Sequence, residues 1–237
     1  MTQPKPTLTL ELVERAIPGV IEDDPTAHPH LPDDEVRARL LDFLAAHPLQ
    51  EPVYVFGYGS LLWYPEVGLG EPVLATLAGW QRHFCLWQWA YRGSRANPGL
   101  MLALLPGGQC VGQAFRLEGP SDAAPDLAAR LWPVWKREVV GNGYHGRMVE
   151  VQTMSGPKTA LTFVANTDGP RFVHPLPLDE MARLMAVAKG SRGASALYLF
   201  HTVARCRELG IADPHLENLD EAVARAIAAK LAEVVPA

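Results

Sequence analysis

The chain has 237 residues, which is long enough for one large domain with its own core. Apolar residues make up 48% of it and charged residues 20%, a balance typical of globular rather than disordered proteins. Its formal net charge is −5 and it contains no block of Lys and Arg, so we expect neither a nucleic acid nor an anionic membrane as a partner.

The cysteines and the apolar runs indicate the compartment. Cys85, Cys110 and Cys206 lie far apart, and no CxxC pair is present for a zinc ribbon or a redox motif. The segment 1–12 lacks a charged stretch followed by an apolar one, so we expect no signal peptide. No run of about 18 apolar residues predicts a membrane span. We expect a reduced, cytoplasmic protein.

The beginning of the chain differs in composition from the rest. Residues 1–33 are rich in proline and acidic residues, with turn-prone stretches at 23–25 and 29–32. We predict that they form an N-terminal lead-in over the surface of a single domain at 34–237. The acidic residues 33–35 then start a helix, because apolar residues follow them at helical spacing.

The middle of the chain predicts strands, and its end predicts helices. The predicted strands are 53–56, 73–77, 83–89, 100–105, 111–117, 148–153 and 160–165. The predicted helices after the first are 122–140, 178–189, 194–209 and 217–234. Pro133 predicts a kink or a restart in the first of these. Connections too short for repeated βαβ crossovers favour an α+β fold.

The segment 56–63, FGYGSLLW, joins an apolar run to an amphipathic stretch through two glycines. Such a turn can present consecutive backbone N–H groups to a carboxylate or a developing oxyanion. Leu62 stands where a dinucleotide fingerprint and a nucleophile elbow both need glycine, and the lysine of a phosphate loop is missing. Two interpretations stay open: an anion-binding turn, or a tight turn without a function.

Glu138 is the carboxylate that we favour as a general base. The residues at three, four and seven positions before it are Trp135, Val134 and Leu131, so Glu138 follows an apolar face without a basic residue at helical spacing. Desolvation on such a face raises the pKa of a carboxyl group, which suits a base near neutral pH. The alternative is a structural glutamate at the helix end, bonded to a backbone donor or a distant arginine.

Two further residues lie in segments that suit a binding site. Arg92, in a predicted loop, either holds a substrate carboxylate with two hydrogen bonds or is an ordinary surface arginine. Tyr144 follows Glu138 after a Gly-Asn-Gly turn. The eight histidines form no HExxH or other compact ligand set, so we expect no metal.

Together these segments resemble the ChaC-type γ-glutamylcyclotransferases, the glutathione-specific branch of the cyclotransferase fold. The resemblance runs from about residue 53 to residue 219 and depends on the order of its motifs. Those motifs are FGYGSLLW at 56–63, GWQRHFCLW at 79–87, YRGSRANPGLMLALLPGG at 91–108, CVGQAFRL at 110–117, LWPVWKREVVGNGY at 131–144 and ALYLFHTVARCRELGIADPHL at 196–216.

The resemblance implies an α+β fold, a small mixed β-barrel or sheet wrapped by helices. It also implies a lyase of glutathione catabolism that releases 5-oxoproline and cysteinylglycine. The family's catalytic glutamate falls on Glu138, its Y-G-S-L turn would bind the γ-glutamyl part, and a family tyrosine that falls on Tyr198 would line the pocket. The expected substrate-binding residues are Tyr58, Gly59, Ser60, Leu61, Arg92, Tyr144 and Tyr198.

Three positions depart from the family pattern. Ser94 stands where the family often has Thr, which is a mild change. Ser195 stands where relatives usually carry Asn, which leaves any contact of that side chain open. Pro133, inside the predicted catalytic helix, can change how Glu138 is aimed.

The chemistry implied by the resemblance needs few groups. The α-amine of a γ-glutamyl amide attacks its own γ-carbonyl, so an enzyme nucleophile, a metal and a cofactor are unnecessary. Glu138 would take the proton of the amine and return it to the leaving cysteinylglycine. Three alternatives stay open: a cyclotransferase for other γ-glutamyl peptides or amines, a hydrolase with Ser60 or Cys85 as nucleophile, and a non-catalytic γ-glutamyl binding module. The oligomeric state is not predicted.

Overall fold

The computed structural model describes residues 6–24, 26–27, 30–49, 52–66, 68–119 and 124–234. Parts of the predicted lead-in, of both turn-prone stretches (Pro25 and Pro29) and of the helix predicted from Asp122 lie outside these residues. The helices are α1 (Leu10–Ala16), α2 (Asp33–Ala46), α3 (Ala124–Val139), α4 (Leu178–Met185), α5 (Ser195–Glu208) and α6 (Pro214–Val234). The strands are β1 (Tyr54–Gly57), β2 (Leu69–Gln88), β3 (Gly99–Leu117), β4 (Tyr144–Thr153), β5 (Gly156–Ala165), β6 (Lys189–Gly190) and β7 (Gly193–Ala194).

Contacts divide the chain into two compact units. The barrel unit comprises residues 30–83 and 103–172, and the helical unit comprises residues 1–29, 84–102 and 173–237. Strands followed by helices confirm the predicted α+β class. The prediction of a single domain at 34–237 stays a prediction. Among the described residues, no helix has the length and apolar character needed to span a membrane.

The strands of the main sheet close into a barrel in the order β1-β3-β2-β4-β5. β1 is the mixed element, since it pairs antiparallel with β3 and parallel with β5; Val55 lies opposite both Phe115 and Leu161. Closure pairs the backbone groups that an open sheet would leave exposed at its edges. The predicted small mixed barrel is therefore confirmed.

The two longest strands were each predicted as two shorter ones. The predicted segments 73–77 and 83–89 fall on β2, except that residue 89 lies beyond its end, and 100–105 and 111–117 belong to β3. The glycines that suggested turns have positive φ angles, 77° at Gly79, 126° at Gly107 and 56° at Gly108. Glycine takes such angles without a steric penalty, so the strands continue through these positions.

The helices follow the predictions closely except in three places. α1 was missed; it begins after Thr9, whose side chain accepts a hydrogen bond of 3.1 Å from the Leu12 N–H. α3 runs unbroken through Pro133, where a restart was one of the two expectations. α4 ends at Met185 instead of residue 189, because Lys189 enters the short β6–β7 hairpin.

Trp135 seats α3 on the wall of the barrel. Its ring lies 5.9 Å from that of Phe163 in an edge-to-face contact, and its indole N–H donates to the Val36 carbonyl at 3.1 Å. Gly146 on β4 permits this approach, since a Cβ there would lie 2.4 Å from the Trp135 ring. The placement matters because Glu138 follows Trp135 by three residues on the same helix.

The contact between Gly146 and Trp135 can be tested by overpacking. We expect Gly146→Ala to lower the free energy of unfolding by about 1–3 kcal/mol, measured by urea denaturation, because the new methyl group has no room. In a Trp135→Phe background the ring atoms that it meets are gone, so the same substitution should be less destabilising. Equal losses in both backgrounds would contradict this account.

Candidate active site

The turn after β1 is tight. Ser60–Leu62 form one 3₁₀ turn, in which the Leu62 N–H donates to the Gly59 carbonyl at 3.0 Å. Gly57 makes the turn possible, because a Cβ at that position would lie 2.8 Å from the Cβ of Leu61. The glycine between strand and turn is thus required by packing.

The backbone of this turn presents hydrogen-bond donors. Within the part of the chain that the structure describes, the N–H groups of Gly59, Ser60 and Leu61 meet no acceptor. Consecutive N–H groups of this kind form a site for a carboxylate or an oxyanion. Their role in binding a substrate stays a prediction.

Two side chains hold the turn in place. The Tyr58 hydroxyl donates to the Phe163 carbonyl at 2.7 Å, so this side chain ties the turn to β5. The buried Arg82 donates from Nε to the Tyr58 carbonyl, also at 2.7 Å. Sequence reasoning missed Arg82, because an isolated arginine in a strand gives no signal of the turn that it supports.

Arg137 connects the turn to helix α3. It donates from Nη2 to Ser60 Oγ at 2.9 Å and from Nη1 to the Tyr64 carbonyl at 2.9 Å. Its Nη1 also pairs with Glu66 Oε2 at 3.2 Å, and its Nε lies 3.5 Å from Glu138 Oε1. Arg137 therefore brings the glycine turn and the predicted general base into one cluster.

The contact with Arg137 was missed for a clear reason. Helical spacing predicts partners three or four positions away, and neighbouring residues on a helix do not face each other. An arginine side chain is long enough to fold back along the helix and reach its neighbour. Arg137, the one arginine in the motif 131–144, was the available signal.

Burial dominates the electrostatics of Glu138. Its side chain is 15% exposed, and the loss of hydration raises its pKa above the usual value of 4.5. The positive charges of Arg137 and Arg171 act in the opposite direction, and the negative charge of Glu66 adds to the rise. The net result is a raised pKa, the direction expected of a base that works near neutral pH.

Tyr144 is a pocket residue of the barrel unit. It is buried and lines a pocket of about 690 Å³ together with Trp135, Asn142 and Asn166. Neither Glu138 nor any residue of the glycine turn lines that pocket. The structure thus groups Ser60 with Glu138 and places Tyr144 on a pocket whose lining includes neither of them.

Arg92 and Tyr198 lie in the helical unit, close enough to interact electrostatically. The Arg92 guanidinium donates to the Ala194 carbonyl at 3.4 Å, and no carboxylate pairs with it among the described residues. Burial lowers the pKa of Arg92, while Tyr198 raises it and Arg192 lowers it further. A partly desolvated arginine without an anionic partner suits the binding of a carboxylate.

The two serines at departures from the family pattern have different surroundings. The Ser94 hydroxyl accepts a hydrogen bond of 3.1 Å from the Asn97 N–H and so closes its own loop. The Ser195 hydroxyl is fully buried and has no hydrogen-bond partner among the described residues. Across the described ranges, no group of three or more His, Cys, Asp or Glu side chains is arranged to hold a metal ion.

The sequence profile of the ChaC-like protein family matches residues 53–226. The chain belongs to the ChaC-like family. It is 35% identical over 192 residues to a glutathione-specific γ-glutamylcyclotransferase of Escherichia coli, covering 81% of each chain. A protein of the same name from Schizosaccharomyces pombe is 29% identical over 174 residues, covering 65% of this chain and 82% of the relative.

A solved structure supports the same fold. The crystal structure of a yeast γ-glutamyl cyclotransferase specific to glutathione superposes with a TM-score of 0.63 at 22% identity. It covers 73% of this chain and 96% of the yeast chain. The resemblance stated from the motifs is therefore confirmed at the level of family and fold.

The raised pKa of Glu138 predicts how its replacement changes stability. Because the folded protein disfavours the charged form of Glu138, this residue lowers stability at pH values above the ordinary carboxyl pKa, and we expect Glu138→Gln to raise the free energy of unfolding at pH 8. As the pH falls through the raised pKa, folded Glu138 takes up a proton before the unfolded chain does, and the advantage of the variant should shrink towards pH 4.5. Urea denaturation at several pH values, with the exposed Glu150→Gln as a matched control, measures this. A gain that does not depend on pH would contradict it.

Proposed function

We propose that the chain is a glutathione-specific γ-glutamylcyclotransferase that converts glutathione to 5-oxoproline and cysteinylglycine. One observation carries the proposal: in a member of the ChaC-like family, Arg137 joins a turn with three unoccupied N–H donors to a buried carboxylate of raised pKa. Such a cluster holds an anionic group and a base together, which is what an internal cyclisation needs. The names of the relatives give the substrate.

Glu138 is the general base in this proposal. At neutral pH the α-amine of the γ-glutamyl group is mostly an ammonium ion and cannot attack until it loses a proton. Glu138 accepts that proton, the free amine attacks the γ-carbonyl, and the proton is then delivered to the cysteinylglycine nitrogen as the amide bond breaks. The attacking nitrogen loses one further proton as the lactam forms, and the released cysteinylglycine amine takes up one further proton from water. Each proton taken up is returned, so the enzyme ends the cycle unchanged.

The turn at Tyr58–Leu61 stabilises negative charge. Its N–H groups bind either the carboxylate of the γ-glutamyl part or the oxyanion that forms as the amine attacks. Arg137 holds the Ser60 side chain and lies beside Glu138, so it fixes the distance between the two groups. Its charge also keeps the pKa of Glu138 from rising as far as burial alone would raise it.

Arg92 is the proposed partner of a substrate carboxylate, and Tyr198 beside it lines the binding site. Glutathione carries two carboxylates, and the partly buried guanidinium has no anion of its own among the described residues. Tyr144 belongs to the substrate site in this proposal as well. The proposed setting is the cytoplasm, where glutathione is kept reduced, and the proposed unit of function is one domain over 34–237.

A nucleophilic mechanism has little support at the two candidate side chains. Burial raises the pKa of the Cys85 thiol to about 12, so almost no thiolate is present near neutral pH. Ser60 Oγ accepts a hydrogen bond from Arg137, a permanently charged donor that cannot act as its base. Activity on other γ-glutamyl peptides uses the same groups as activity on glutathione, and a panel of substrates distinguishes the two.

Replacing the proposed base tests the reaction. We expect Glu138→Gln to lower kcat/KM for glutathione by at least about 10²-fold, because the carboxylate no longer takes the proton. The assay follows 5-oxoproline and cysteinylglycine by mass spectrometry, with γ-glutamyl-alanine and γ-glutamyl-ε-lysine alongside. The acid limb of the wild-type pH profile should lie above pH 4.5, as the raised pKa requires. Near-normal turnover by the variant would remove Glu138 from this role.

Ser60→Ala separates cyclisation from a hydrolase mechanism. The backbone N–H groups stay in the variant and a single hydrogen bond from Arg137 is lost, so we expect a decrease in kcat/KM of about tenfold. A nucleophilic serine would instead make the variant inactive. It would also leave a covalent γ-glutamyl adduct on the wild-type protein, visible in intact-mass spectra after rapid quenching, whereas we expect no adduct.

A further inference from the structure

Residues 18–24, which precede the family match, are held within the helical unit by specific polar contacts. We call residues 18–24 the strap. Lys189 Nζ donates to the Pro18 carbonyl at 2.6 Å, and the Ile21 N–H donates to the Gly190 carbonyl at 3.3 Å. The strap therefore runs along the β6–β7 hairpin, although the family profile begins at residue 53.

Asp23 is the residue of the strap whose side chain bonds both to the β6–β7 hairpin and to the loop that follows β2. Its Oδ1 accepts hydrogen bonds from the Tyr91 N–H at 2.8 Å and from the Ser191 N–H at 3.3 Å. Its Oδ2 accepts a short hydrogen bond from the Ser191 hydroxyl. One carboxylate thus connects three parts of the chain: the strap, the hairpin and the loop that begins at residue 89.

The loop that Asp23 holds has an unusual backbone at the point of contact. Tyr91 has a φ of 61°, in the left-handed region that residues other than glycine seldom adopt. Its carbonyl accepts a hydrogen bond of 2.7 Å from the Arg192 N–H, and the Arg192 guanidinium lies 4.6 Å from the centre of its ring. Contacts from outside the loop are needed to keep such a conformation. Asp23 supplies one of them at the Tyr91 N–H.

Arg92 follows Tyr91 directly, so the backbone that Asp23 fixes is the one that carries the proposed carboxylate ligand. The hairpin on the other side of Asp23 leads into Ala194, whose carbonyl accepts the hydrogen bond of the Arg92 guanidinium. Asp23 is therefore connected both to the backbone next to Arg92 and to the hairpin whose carbonyl accepts the hydrogen bond of the Arg92 guanidinium.

We propose that Asp23 is a positioning residue for substrate binding: it locks the Tyr91 backbone to Ser191 and thereby holds Arg92 where it binds a carboxylate of the substrate. That the ligand of Arg92 is the substrate rests on the proposed function. That Asp23 positions Arg92 rests on the contacts of Asp23. It gives the N-terminal strap a role that the family match does not contain.

The electrostatics of Asp23 agree with this role. Burial by itself would raise its pKa, but the hydrogen bonds from Ser191 and Tyr91 and the charge of Arg192 outweigh that effect, and the pKa is lowered. The carboxylate is therefore ionised at neutral pH, when its hydrogen bonds to the two N–H groups are strongest.

The test compares Asp23→Ala with Asp23→Asn and with the exposed neighbour Glu22→Ala. We expect Asp23→Ala to raise KM for glutathione by about tenfold, with kcat changed less than about threefold, because binding and not proton transfer is affected. Asp23→Asn keeps an oxygen for the Tyr91 N–H and should recover part of the affinity. Glu22→Ala should behave as wild type. An unchanged KM in Asp23→Ala, or an equal rise in Glu22→Ala, would overturn the proposal.

A double variant tests whether Asp23 acts through Arg92. If it does, Asp23→Ala should raise KM much less in an Arg92→Ala background than in the wild type. Full additivity would overturn the positioning role. Hydrogen–deuterium exchange of residues 90–95 should be faster in Asp23→Ala than in Glu22→Ala. This measurement does not depend on enzymatic activity. A wild-type protein that leaves glutathione intact would overturn the proposed function, whereas unchanged exchange in 90–95 would overturn the inference about Asp23.

Discussion

The guanidinium of Arg137 is the contact on which the arrangement of the barrel unit's site depends. It binds the side chain of the glycine turn, the backbone after that turn and the carboxylate of Glu66, and it lies beside Glu138. Without it, the turn and helix α3 would keep their attachments to the barrel through Tyr58 and Trp135 but would lose the direct link between Ser60 and Glu138. A planar side chain with several donors is suited to joining groups from different elements in this way.

The same contact limits the effect of burial on Glu138. A carboxylate that loses its hydration is a stronger base but is also more easily protonated at neutral pH. Arg137 and Arg171 oppose the rise in pKa, while Glu66 adds to it. These opposing effects on the pKa suit an internal cyclisation. Such a reaction requires one base of suitable pKa and a few fixed hydrogen-bond donors, because the substrate contains its own nucleophile.

An analogous arrangement of contacts surrounds Arg92 in the helical unit. There a carboxylate, Asp23, joins elements that are distant in sequence, and the arginine itself is left for a ligand. In both units the side chains proposed to touch the substrate are held by neighbours that do not touch it. A rigid set of such neighbours reduces the entropy that binding would otherwise lose.

The sequence by itself determined the class of fold, most helices, and the two candidates Ser60 and Glu138. Periodicity and turn residues are local signals, and the ordered motifs gave the family. The sequence predicted β2 and β3 as two shorter strands each, since a glycine inside a long strand gives the same local signal as a turn.

Only the tertiary structure decided which residues meet. Arg137 reaches Ser60 across 77 positions and Asp23 reaches Ser191 across 168, and no spacing rule connects residues so far apart. It also decided that Tyr144 lines a pocket from which Glu138 is absent. These contacts depend on the closure of the barrel and on the packing of the strap, and so on many weak interactions at once. Local patterns in a single sequence do not contain that information.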